Sequence, residues 1–157
     1  MMCYKLLSTF IRKRNGDYHM LAYIEKNRHL LKNRPQCFLV GVYNVINMMY
    51  VNGDLRIIDF ERFDIGDPWD EFNCIVWSVM ASPHFAPEQL RGYFNGEPPM
   101  EFFKLLAVYI AILVLSLISS WAVTSEFGRN VTLKLSQDVL QWFDNMQNPV
   151  LTWYLKD

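Results

Sequence analysis

Nineteen consecutive residues, Leu105–Val123, carry no charge. At ~1.5 Å rise per residue, a helix of that length approaches the thickness of a bilayer core, so the segment either spans a membrane or runs through the middle of a helical bundle. Tyr109, Ser116, Ser119, Ser120 and Trp121 dilute the stretch with polar groups, and a helix that is apolar all round suits an enclosed position in a protein core. The core helix is the favoured reading, with a span through 105–123 as the alternative. The chain has 157 residues, 52% of them hydrophobic and 15% aromatic. A domain of this size buries roughly two thirds of the surface its unfolded chain exposes, so one domain over 1–157 is expected.

Around this helix the pattern is helical at both ends and extended between. Met2–Ile11 and Tyr18–Leu31 carry helical apolar spacing, and Lys32–Asn33–Arg34 followed by Pro35 ends the second run. Residues 1–34 therefore read as a helical section. Cys37–Tyr43 is rich in β-branched and aromatic residues. Asn47–Val51 and Leu55–Phe60 flank Asn52–Gly53, a pair that accepts the positive φ of a tight hairpin turn, so 36–60 reads as a strand and a β-hairpin. Asp67–Pro68 starts a helix expected to run from Pro68 to about Ala81, with Asp67 and Asp70 as capping residues. Ala86–Phe94 is a short amphipathic helix ended by Asn95–Gly96, and Pro98–Pro99 opens the long one through Met100–Val123. Thr124–Arg129 reads as a loop and Val131–Asn145 as the last helix, capped by Asn130. A tail, 147–157, packs its aromatic residues back on the helical section 67–146.

Charge and cysteine content narrow the function. A net charge of −1 gives no basic field for nucleic acid, and Arg12–Lys13–Arg14 runs straight into the turn Asn15–Gly16–Asp17. Cys3, Cys37 and Cys74 are odd in number and more than thirty residues apart, which makes neither a disulfide framework nor a zinc spacing and suits a reducing, cytoplasmic setting. His19, His29 and His84 form no ligand pattern. Any metal chemistry must come from carboxylates.

The segment Ile57–Phe72, IIDFERFDIGDPWDEF, supplies them. Asp59 sits between Ile57–Ile58 and Phe60, so its backbone is expected to belong to the strand and its carboxylate to emerge where the strand ends, as a ligand for a divalent ion does. Phosphoryl transfer needs magnesium on the phosphates and a second carboxylate to orient the attacking hydroxyl. Asp59, Glu61, Asp64, Asp67, Asp70 and Glu71 face only Arg62 within the stretch. Such an acidic wall suits a cationic substrate, although acids near a helix start also serve as caps. Trp69, Phe72 and Trp77 recur at helical spacing and read as core.

GDLRIIDFERFDIGDPWDEF resembles the metal-binding segment of the aminoglycoside phosphotransferase and choline kinase-like family. The resemblance implies an α+β, mostly helical fold, namely a protein-kinase-like C-terminal lobe with a small β-hairpin and no N-terminal lobe. It also implies an ATP-dependent O-phosphotransferase with Mg2+ and ATP as cofactors and a small cationic substrate. In that family the Asp of the IDF element binds magnesium, which assigns Asp59 as a metal ligand. The family's upstream pattern His-Gly-Asp-x-His-x-Gly-Asn falls on Val40–Asn47, where only Gly41 and Asn47 match. Asn47 becomes the second metal ligand. Val42 stands where the catalytic Asp belongs, and Val40 and Asn44 replace the two histidines. Glu61 and Asp64 are the substrate-binding candidates.

A truncated phosphotransferase, inactive alone, is thus the leading expectation. A non-catalytic remnant or binding module of the same fold is the first alternative, and a membrane-associated protein the second. Without an N-terminal lobe, the resemblance also implies an exposed apolar surface open to self-association.

Overall fold

A computed structural model describes residues 17–121 and 125–154, with five α-helices and four strands among them. The expected helix Met2–Ile11 lies outside the described residues. Helix α1, Asp17–Asn27, buries Met20 and Ile24, one turn apart on one face, and continues as a tighter 3₁₀ turn over Arg28–Leu31. Strands β1 (Cys37–Leu39), β2 (Met48–Val51), β3 (Asp54–Ile57) and β4 (Asp64–Gly66) form two antiparallel pairs, β1 with β4 and β2 with β3. Helices α2 (Ile75–Ala81), α3 (Phe85–Phe94), α4 (Met100–Trp121) and α5 (Glu126–Trp142) follow. The fold is mostly helical with small antiparallel sheets, an α+β arrangement.

The uncharged stretch is the centre of the molecule. Leu105, Leu106, Ala107, Val108, Ile110, Ala111 and Val114 are fully buried, and α4 packs against α1, α5 and the turn Asp70–Cys74. Ser116, Ser119 and Ser120 are exposed and return their hydroxyls to carbonyls of the preceding turn, as Ser119 does to Ser116 at 2.7 Å. By length and composition α4 could cross a membrane, yet in this fold most of its side chains have protein neighbours. The tail closes over one end of it. Leu151 and Tyr154 are buried, and the Tyr154 ring meets Phe103 at 4.9 Å between centroids.

The hairpin has the expected two-residue turn. Val51 pairs with Asp54, and Asn52 and Gly53 take φ of 53° and 92°, the double left-handed geometry that matches strand twist. Other boundaries differ from the expectation. The strand from Cys37 stops at Leu39, because Gly41 adopts φ 91° and turns the chain out of the sheet. The second hairpin strand stops at Ile57, so Asp59 is not a strand residue; it occupies the left-handed region at φ 66°. In place of a continuous helix from Pro68, i to i+3 bonds such as Asp70 N–H to the Asp67 carbonyl (2.9 Å) make a 3₁₀ turn, and α-geometry begins only at Ile75.

The last helix begins at Glu126 rather than Val131. Ser125 is its cap, with its Oγ accepting from Gly128 N–H at 3.0 Å, so Asn130 lies inside the helix and 125–129 is not a loop. It ends at Trp142, where Asp144, Asn145 and Met146 turn left-handed in succession at φ 47°, 53° and 65°.

Candidate active site

The loop between β1 and β2 is held by local turns and by three backbone bonds to distant side chains. Glu71, in the 3₁₀ turn, accepts from Val40 N–H at 2.7 Å and from Gly41 N–H at 2.8 Å, so one carboxylate holds two successive amides. Gly41 lies against the opposite wall. A Cβ there would sit 1.9 Å from the Arg62 carbonyl oxygen, so the position needs glycine both for its φ and for space. Val42 supplies a carbonyl that accepts from Asn44 N–H and from Asn47 Nδ2, each at 3.0 Å. Asn44 is buried and caps the turn Val45–Asn47, accepting from Ile46 N–H at 2.9 Å. Val45 N–H reaches Ser78 Oγ on α2 at 3.1 Å. The loop is thus fixed from three directions, and its tip offers an isopropyl group.

The sheet sets the backbone of Asn47 and Asp59 at the same end of the hairpin. The Ile58 N–H donates to the Asn47 carbonyl at 2.9 Å, which sets Asp59 one residue past the last rung of the β2–β3 ladder. Asp59 is exposed, and Arg56 pairs with Asp54 at 3.8 Å rather than with it. Asn47 spends its side-chain Nδ2 on the Val42 carbonyl, and no hydrogen bond among the described residues uses its side-chain oxygen. Among the described residues no three His, Cys, Asp or Glu side chains gather into a metal-binding group. Magnesium that arrives on a nucleotide keeps several waters and takes one or two protein ligands beside phosphate oxygens, so it does not require such a cluster.

The six acids of the segment divide between two jobs. Asp59, Glu61 and Asp64 are exposed, and Asp64 lies on β4 with its carboxylate accepting from Ile65 N–H at 2.7 Å. Asp67, Asp70 and Glu71 turn inward. Asp67 is buried and receives Arg34 Nε at 2.5 Å, the Tyr109 hydroxyl at 2.6 Å and Trp69 N–H at 3.0 Å. Burial opposes the charge on Asp67, but the bonds from Arg34, Tyr109 and Trp69 outweigh it and hold the carboxyl below its ordinary range. Burial and the same hydrogen bond push the Tyr109 hydroxyl up. The Arg34 guanidinium lies over the Trp69 ring, 4.2 Å from its centroid. Burial, and then the neighbouring acids Asp67, Glu71 and Asp64, raise the Asp70 carboxyl, which accepts from Asn73 Nδ2 at 2.9 Å.

The sequence pattern singled out Asn47, Asp59, Glu61, Asp64, Asp67 and Asp70, and counted Glu71 only among the acids of the segment; the structure gives Glu71, Arg34, Tyr109 and Ser78 the role of holding the loops. None of these four carried a local signal. Glu71 stands thirty-one and thirty residues from the two amides it binds, and Arg34 stands thirty-three from Asp67. A separate cleft of about 540 Å³, lined in part by His19, Tyr23, Lys26, Lys104 and Met146, shares no residue with this loop and shows no acid.

Residues 8–103 match the phosphotransferase enzyme family. That match spans more than half of the sequence, and the chain belongs to this family. No curated protein and no solved structure matches the chain.

Proposed function

We propose that this chain forms the kinase-like C-terminal lobe of an aminoglycoside-type small-molecule phosphotransferase, and that loop 40–47 has kept its shape while losing its base. The observation that carries this reading is the pairing of Glu71 with Val40 and Gly41 beside a Val42 that has nothing to accept a proton with. A loop held in this way without a base fits an inheritance or a binding surface. Asp59 and the Asn47 side-chain oxygen would hold Mg2+ brought in with ATP. The ion would neutralise charge on the transferred phosphoryl group. Asp59, Glu61 and Asp64 would draw a cationic substrate toward the loop.

General-base assistance contributes ~10²–10⁴ in rate, so this chain by itself transfers phosphate negligibly. The reading as a non-catalytic binding module rests on the same Val42 and predicts ligand binding without turnover. Free Cys37 and Cys74 suit the cytoplasmic setting proposed with it.

Two measurements test the proposal. Phosphate transfer from ATP to an aminoglycoside panel should not exceed the protein-free control, and clear turnover would overturn the claim of inactivity. Calorimetric titration with Mg-ATP should give weak binding to the chain and to Val42→Asp, and loss of binding in Asp59→Asn. Equal heats with and without the Asp59 carboxylate would remove it as a ligand.

A further inference from the structure

We propose that the free edge of β3 docks a second copy of this chain, joining two hairpins into a four-stranded sheet β2–β3–β3′–β2′. The ladder decides which groups are available. Since Ile58 N–H bonds to the Asn47 carbonyl, the hydrogen-bonded pairs continue as Met49 with Arg56 and Val51 with Asp54. Leu55 and Ile57, lying between them, send N–H and C=O away from β2. No turn or loop bond among the described residues uses these groups. This is an open strand edge of the kind other strands pair with.

The side chains argue for the same strand as its own partner. In an antiparallel two-fold pairing centred on Leu55, Leu55 bonds to its symmetry mate through both backbone groups, and Asp54 stands opposite Arg56 of the other copy, twice over. β1 and β2 carry no charged residue, and β4 carries only Asp64. Among the four strands, β3 alone is charge-complementary to itself when reversed. Asp54 and Arg56 are exposed, and their present pairing at 3.8 Å within one strand is a solvated contact worth little. Exchanging it for two pairs across the axis therefore gives up almost nothing. The apolar surface points the same way. Leu55 is 59% exposed and its cross-strand neighbour Tyr50 78%, and the two-fold would bring both together with their mates on one face of the new sheet.

The test is sedimentation velocity of the whole chain across a concentration series at low and high salt. The chain should show a monomer–dimer equilibrium that weakens as salt rises. Arg56→Asp places like charges across the axis twice and should weaken the dimer roughly tenfold or more. Exchanging the charges in Asp54→Arg with Arg56→Asp should bring the dissociation constant back to within about threefold of the original. Circular dichroism melts of each variant establish that the hairpin, whose altered side chains are solvent-exposed, remains folded. A chain that stays monomeric throughout, a dimer indifferent to Arg56→Asp, or a charge exchange that fails to restore it would each overturn the proposal.

Discussion

The helical half and the stranded half of this molecule treat their apolar residues in opposite ways. Around α4, large side chains such as Phe72, Phe102, Leu106, Leu135 and Phe143 are fully enclosed. Across 38–65, nine of the fourteen large apolar residues found exposed in the described chain sit at the surface, among them Phe38, Tyr50, Leu55, Phe60 and Phe63. Some stack on one another, as the Phe38 and Phe63 rings do at 5.7 Å. The stability of the helical half is therefore supplied by its own chain, whereas the stranded half is held by turns and borrowed carboxylates. An exposed apolar surface of that extent is a usual mark of an interaction site.

Substitutions can break this contrast or sharpen it. The largest effect is expected at the joint between the halves. Arg34→Ala leaves Asp67 buried with its charge unmatched and should cost about 3–5 kcal/mol by denaturant unfolding at neutral pH. Because the carboxyl of Asp67 is held below its ordinary range, its contribution is present above the unfolded value and disappears as pH falls through the folded one. The penalty of Arg34→Ala should accordingly shrink in acid; a constant penalty down to the acid transition would mean that Arg34 acts by packing alone.

Next comes one substitution made in both halves. Leu106→Ala in α4 should cost about 2–5 kcal/mol, and Leu55→Ala in β3 about 0.5 kcal/mol or less under monomeric conditions. Similar losses would show that the exposed sheet face is covered in solution by something other than a copy whose binding weakens on dilution. The gentlest effect accrues at alkaline pH. Burial pushes the Tyr23 and Tyr154 hydroxyls up to about 12, the latter helped by its bond to Glu97, and burial pushes the Cys74 thiol up to about 11. These raised groups contribute stability that is complete below their unfolded values and is lost as pH climbs through the folded ones. Near-ultraviolet circular dichroism should show packing of the helical half weakening between about pH 9 and 12. An unchanged melting temperature across that interval would contradict the assignment.

Local chemistry made some of this legible in the sequence. Asn52–Gly53 can hardly do anything but turn a hairpin, and Asn95–Gly96 closes α3 with Asn95 at φ 51°. The uncharged run became the core helix for the same reason it could have been a span. What escaped were choices between two adequate local signals and pairings across distance. Ser125 and Asn130 are both good caps. Ser125 won by letting Glu126 enter the first turn, where its charge meets the helix dipole. The strand through Val40 was stopped by the left-handed turn at Gly41, where the close approach of Arg62, which no window around Gly41 contains, leaves no room for a side chain. At the site, the positions of Asn47 and Asp59 followed from the hairpin, but the division of six acids into three exposed and three inward ones depended on Arg34, Tyr109 and the loop amides.

The φ of 66° at Asp59 has a consequence for which residues this position can hold at all. A left-handed backbone admits Asp, Asn and Gly readily and charges most other side chains about 1 kcal/mol or more in strain. Glutamate would preserve the charge and spoil the turn; asparagine would preserve the turn and remove the charge. The geometry thus separates the charge at this position from the turn, and the exchange of Asp59 for Asn removes the first with the shape of the chain left as it was.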